Sequence, residues 1–120
     1  MKKILIINGP NLNLLGTREK KFYGDTTLEK IKSLCDHHCK NNDIECSFFQ
    51  SNHEGELIEK IHTVENEFDG VIINPAAFTH TSIALLDALR AISKPKIETH
   101  ISNIYSREDY RRKSITSEAV

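Results

Sequence analysis

Short apolar runs alternate with longer amphipathic ones along this chain. Residues 3–8, Lys-Ile-Leu-Ile-Ile-Asn, are apolar and β-branched and stop at Gly9-Pro10, which predicts a buried strand. Residues 9–25 hold Gly9, Pro10, Gly16 and Gly24 and no sustained period, so they predict a long loop of the kind that often serves as a lid. From about 26 to 41, Leu28, Ile31, Leu34 and Cys35 recur at helical spacing. Thr26 and Glu29 make a capping box there, and Asn41-Asn42-Asp43 ends the helix. Residues 44–50 alternate Ile44, Cys46 and Phe48, a second strand. One helix over about 54–67 would set Leu57, Ile58, Ile61 and Val64 on a single face. A third strand, 71–74, follows Asp69-Gly70 and stops at Pro75. Ile83, Leu86 and Leu89 predict a helix over about 81–92, broken by Lys94-Pro95 before a fourth strand at 96–100. The stretch from Ser106 to Arg112 has room for one or two helical turns.

The order βαβαβαβ implies a parallel sheet with helices on both faces. Right-handed crossovers favour a flavodoxin-like strand order. At 120 residues, without repeat, low-complexity stretch or linker, the chain reads as a single α/β domain over 1–120.

This order changes how the polar residues read. In an open parallel sheet the carboxyl ends of the strands share one edge, where ligands bind. Polar clusters follow three of the predicted strands: Asn11, Arg18 and Tyr23; Asn74 through Ser82; and His100, Ser102 and Asn103. They are expected to form one site.

Bulk composition removes other classes. A net charge of −1 leaves no basic footprint for nucleic acid. Apolar runs of about five residues are too short to span a bilayer. The N-terminus turns polar at Asn8, short of a signal peptide's apolar stretch, so a cytoplasmic setting is expected. Cys35, Cys39 and Cys46 are an odd count and argue against a disulfide framework. Cys35, His37, His38 and Cys39 match no standard zinc spacing, so no metal is expected. The loop after the first strand lacks both the P-loop ending and the G-x-G-x-x-G spacing.

Within the clusters each residue has a chemical reading and a plainer one. A tyrosine is a poor base at neutral pH, but a nearby guanidinium favours its phenolate, so Arg18 can make Tyr23 a base. The plainer reading is a solvated arginine and a tyrosine that packs the loop. Glu98 and His100 are two apart on the predicted fourth strand and face one side, so the carboxylate can orient His100 as a general acid. The plainer reading is a satisfied histidine at a sheet edge. Asn74 can hold a carboxylate or a water, while Thr81 or Ser82 can simply cap the next helix. Arg107, Arg111 and Arg112 can meet an anionic ligand or line a solvated face.

Together these segments resemble one family. Asn8-Gly-Pro-Asn-Leu-Asn-Leu-Leu-Gly16, Arg18-Glu, Tyr23-Gly, Gln50-Ser-Asn-His-Glu-Gly55, Asn74-Pro-Ala-Ala-Phe-Thr-His-Thr-Ser82 and Glu98-Thr-His-Ile-Ser-Asn103 are similar to the motifs of type II 3-dehydroquinate dehydratase, in order, from residue 4 to about 114. The resemblance implies a flavodoxin-like fold and conversion of 3-dehydroquinate to 3-dehydroshikimate and water in the shikimate pathway, without cofactor or Schiff-base lysine. It implies Tyr23 as the base, Arg18 as its activator and His100 as the acid with Glu98 as partner. It implies that Asn11 holds a water or the enolate oxygen. Asn74, Ile101 and Ser102 would hold the substrate carboxylate and His80 and Arg111 the ring hydroxyls. Asp87 would bind across a subunit contact in a trimer-based homododecamer. β-Elimination needs a base, an acid and an enolate stabiliser, and the clusters supply one of each.

Two departures from the family pattern stand out. Members continue into a glycine-rich fifth strand and a C-terminal helix, whereas Ser117-Glu-Ala-Val120 reads as the approach to that strand. Without these elements one sheet edge is expected to be exposed or covered by something else. Ala76 stands where many members carry glycine, a small change expected to fit. The alternative reading is a shortened, non-catalytic relative that binds a polyhydroxy acid or acts as an interaction module. A flavodoxin-like FMN module rests on fold analogy alone.

Overall fold

The computed structural model describes residues 1–17 and 24–120. The predicted base Tyr23 and its activator Arg18 thus lie outside the described residues. Four strands, β1 (Lys2–Asn8), β2 (Ile44–Gln50), β3 (Gly70–Asn74) and β4 (Lys96–Glu98), form one parallel sheet among the described residues, in the order β2-β1-β3-β4. This is the expected flavodoxin-like order. Leu5 and Ile7 of β1 and Val71 and Ile73 of β3 point to one face and are nearly or fully excluded from water. Leu57 and Ile61 of α2 (Glu54–His62), Val64 of α3 (Val64–Glu67) and Leu85 and Leu89 of α4 (Ile83–Arg90) close over them. On the opposite face, α1 (Leu28–Asn41) packs against β2, where the Cys46 thiol donates to Asp36 at 3.2 Å.

Several boundaries differ from the sequence reading, each for a local reason. Thr27, not Thr26, caps α1, accepting from the Lys30 N–H, so the capping box does not form. Leu34, expected on the buried face of α1, is 67% exposed. The helix expected over 54–67 breaks at Thr63, whose hydroxyl and backbone N–H both turn back to the Lys60 carbonyl. β4 ends at Glu98 rather than at His100, so strand geometry does not by itself align those two side chains. The stretch read as the approach to a fifth strand holds a 3-10 turn over Thr116–Ala119, packed on α4, a local feature the sequence reading did not specify.

Two backbone features join the first loop to the third strand's end. The Gly9 N–H donates to the Asn74 carbonyl at 2.8 Å, and a side chain on Gly9 would sit 2.5 Å from the Pro75 carbonyl oxygen. Ala76 has a φ of 53°, in the left-handed region where a Cβ costs about 1–2 kcal/mol. The residue is accommodated, but with backbone strain that glycine would not carry. Ala76→Gly is expected to raise the unfolding free energy by up to about 1 kcal/mol, since glycine's extra unfolded-state freedom offsets part of the relief. Urea unfolding of the two proteins checks this.

Candidate functional site

The carboxyl edge of the sheet holds a cleft bounded by the loop after β1, the turn after β3 and the segment after β4. Asn11, Asn74, His80, His100, Ile101, Ser102 and Arg111 all line it. The three polar clusters predicted to meet do meet, as far as the described residues reach. No aspartate or glutamate lines the cleft among the described residues, while two arginines and two histidines do. Such a cleft favours a small anion.

Each side chain is held by neighbours that decide what it offers. Asn11 adopts a left-handed backbone (φ 68°), and its N–H donates to Asn52 Oδ1 at 2.9 Å. Gln50 Nε2 donates both to that Oδ1 and to the Gly9 carbonyl, at 3.1 Å each, which ties the loop to the end of β2. Asn74 Oδ1 accepts the Ala76 N–H at 3.0 Å, so the NH2 end of its amide is the part free to donate to a ligand. His80 Nδ1 lies 2.7 Å from the Lys113 carbonyl. A carbonyl only accepts, so Nδ1 carries the proton, and Nε2 of the neutral ring is an acceptor for a hydroxyl. Arg111 pairs with Glu108 at 2.9 Å, and the buried Arg107 donates to Ser102 Oγ at 3.2 Å.

Glu98 does not line the cleft; it lies behind His100, with its side chain 5% exposed. His100 Nε2 donates to Glu98 Oε2 at 2.7 Å. That leaves Nδ1 of the ring as the nitrogen able to present a proton to a ligand. Four hydroxyls, on Thr79, Ser114, Thr116 and Ser117, surround the same carboxylate. Burial raises the pKa of this carboxyl. The bonds from His100, Thr116 and Ser117 and the charge of His100 outweigh burial and bring it down to about 2.

Asp87 stands apart from the cleft, on the exposed side of α4 beside Ile83. Thr81 and Ser82 do not line the cleft either; Ser82 caps α4 by accepting the Leu85 N–H, which is the plainer of its two readings. Pro10, Leu12 and Ala77, within the motifs that carry the resemblance, line the cleft as well; so does Ile104, which lies outside them and which no local spacing marks. Among the described residues no group of three side chains comes together that could hold a metal. Burial, then hydrogen bonds with Asp36 and Cys39, push the Cys46 thiol up to about 12, away from the thiolate a metal needs.

The arrangement combines a carboxylate-anchored imidazole, amide and guanidinium donors for an anion, and an acceptor histidine. Proton donation to a leaving oxygen on a small anionic substrate is within its means.

Comparisons with known proteins agree with one another. The family described as dehydroquinase class II matches residues 2–120. A 3-dehydroquinate dehydratase of Clostridium botulinum is 56% identical over 119 residues, covering 99% of this chain and 81% of that protein. The crystal structure of type II dehydroquinase from Butyrivibrio crossotus superposes with a TM-score of 0.96 at 48% identity, covering 98% of this chain and 83% of that one. The type II dehydroquinase from Propionibacterium acnes gives the same TM-score, 0.96, at 38% identity, covering 100% of this chain and 83% of that one.

The low Glu98 pKa makes a prediction about stability. A carboxyl at about 2 when folded, against an ordinary 4.5, stabilises the fold fully above pH 4.5 and loses that contribution as the pH falls through about 2. Its size is about 3 kcal/mol. Urea unfolding between pH 6 and pH 2 is expected to show this loss in the wild type and a smaller one in Glu98→Gln.

Proposed function

This chain belongs to the class II dehydroquinase family, and we propose that its cleft carries out the family's reaction, loss of water from 3-dehydroquinate to give 3-dehydroshikimate, through the residues gathered at the carboxyl edge of the sheet. The protein is an enzyme of the hydro-lyase class. The observation that carries the mechanism is the Glu98–His100 pair, 2.7 Å apart, bordering a cleft lined by anion-binding groups.

Tyr23, made more acidic by Arg18, takes the proton α to the ketone, and the C–H electron pair becomes an enolate. Asn11 holds the enolate oxygen, directly or through a water. Collapse of the enolate expels the β-hydroxyl, which takes a proton from His100 and leaves as water. Glu98 stabilises the imidazolium until that transfer. Asn74, Ser102 and the backbone at Ile101 hold the substrate carboxylate, and His80 and Arg111 bind ring hydroxyls. Every proton and electron pair in this elimination is supplied by substrate and side chains, so it needs no cofactor. The setting is the shikimate pathway in the cytoplasm, with 1–120 acting as one catalytic domain. A non-catalytic role is not favoured, because the acid pair and the anion-binding groups are assembled together.

Tyr23→Phe is the decisive variant. Turnover, followed as the absorbance of the conjugated product, is expected to fall at least about 10²-fold while calorimetry still detects ligand binding. Retained turnover would remove Tyr23 from the role of base.

The exposed Asp87, next to an Ile83 that is 62% exposed, supports an interface on this side of α4. We place Asp87 at the site of a neighbouring subunit in a trimer-based homododecamer. Sedimentation is expected to give an assembly of twelve 13.7 kDa chains. A monomer that turns over at full rate would rule out that role.

A further inference from the structure

The carboxylate behind His100 is enclosed more completely than a partner of a single histidine requires. Glu98 ends β4, Thr79 sits in the 3-10 turn after β3, and Ser114, Thr116 and Ser117 follow α5 (Asp109–Arg112). Three distant stretches of chain therefore converge on one side chain. Thr79 and Thr116 are both 0% exposed. The Ile115 N–H donates to the Thr79 carbonyl at 2.7 Å, and the neighbouring Lys113 carbonyl holds His80, so the 113–117 segment is docked by its backbone.

Each hydroxyl carries one proton, so the short contacts cannot all be hydrogen bonds at once. One arrangement uses the shortest of them and conserves protons. Ser117 donates to Ser114 at 2.5 Å, Ser114 to Thr79 at 2.6 Å, Thr79 to Thr116 at 2.6 Å and Thr116 to Glu98 Oε1 at 2.5 Å. His100 Nε2 then donates to the other oxygen, Oε2. Turned instead toward Oε2, the Ser117 hydroxyl lies 2.9 Å from it. In either arrangement both oxygens have donors, and in the first the chain of hydroxyls strengthens its last bond cooperatively.

We propose that Thr79, Ser114, Thr116 and Ser117 are positioning residues for the dehydration, a ring of hydroxyls that holds the Glu98 carboxylate as an anionic acceptor aimed at His100. The proposal rests on the reading of Glu98 and His100 as the acid pair. The ring acts on the reaction through that pair and touches no substrate. Of the titratable groups, His100 alone among the described residues is hydrogen-bonded to the carboxylate; Tyr105 and the C-terminal Val120 line a second, open pocket with Glu98, and His80, Arg107 and Arg111 line the cleft with His100. A buried carboxylate with fewer donors becomes easier to protonate, and a protonated Glu98 no longer stabilises an imidazolium.

The test replaces one hydroxyl by a methyl of the same shape, Thr116→Val, with Thr116→Ser as the conservative partner. Side-chain carboxyls are followed by 13C NMR, and the Glu98 signal is identified by its loss in Glu98→Gln. In the wild type that signal is expected to stay ionised down to about pH 3, in Thr116→Val to titrate at least about one unit higher, and in Thr116→Ser to return. The kcat of Thr116→Val at pH 7 is expected to fall at least about threefold with KM within about twofold of wild type, and Thr116→Ser to restore it. A folded Thr116→Val with the wild-type carboxyl titration and kcat would overturn the proposal. Should that variant not fold, Ser117→Ala on the part-exposed rim of the ring is expected to move the Glu98 titration up by a smaller step, and an unmoved titration there would overturn the proposal. Absence of turnover in the wild type would instead count against the dehydratase mechanism, and the carboxyl titration would still decide the ring.

Discussion

Parallel pairing on both sides of β1 is the constraint on which the rest depends. Its register sets Asn8 opposite Gln50 on one neighbour and Asn74 on the other, so the strand ends arrive at one edge in a row. Burial of Leu5, Ile7, Val71 and Ile73 makes this register costly to change, because a one-residue slip would turn the slipping strand's pair to the wrong face. The loops after the strands then have no choice of direction. Gly9 meets Asn74 through a backbone bond, and Gln50 reaches across to the same loop. The cleft is a consequence of the sheet rather than a separate construction.

The Glu98–His100 pair depends on that geometry through a different kind of interaction. Glu98 is a buried charge, and a buried charge survives only where donors replace the water it has lost. Its donors come from the turn after β3 and from the segment beyond α5, not from its own strand. The strand ends before His100, so the alignment of the two side chains is a result of this enclosure. The bonds that make the carboxylate tolerable are also those that fix the partner of the imidazole.

Much of the architecture was legible in the chain. Period-2 and period-3.6 runs marked four strands and the helices between them, because burial on one face imposes a repeat that a reader can see. The breaks were harder. The interruption at Thr63 arises from a hydroxyl and an N–H turning back on Lys60, and the 3-10 turn at 116–119 from packing against α4; neither leaves a periodic mark. Thr26 matched a capping box, yet Thr27 took the role, accepting the Lys30 N–H.

The site divides in the same way. Asn11, Asn74, His80, His100, Ile101, Ser102 and Arg111 could be named from residue type, position after predicted strands and likeness to a family, because those are properties of short segments. That they share one cleft, that Glu98 lies behind it, that Asp87 lies outside it, and that four hydroxyls enclose the carboxylate were decided only by the fold. The physical reason is range. Local pattern records which face of an element meets the core, whereas Thr79, Glu98 and Thr116 meet through contacts spanning up to 37 positions of the chain. Only packing in three dimensions determines such a meeting.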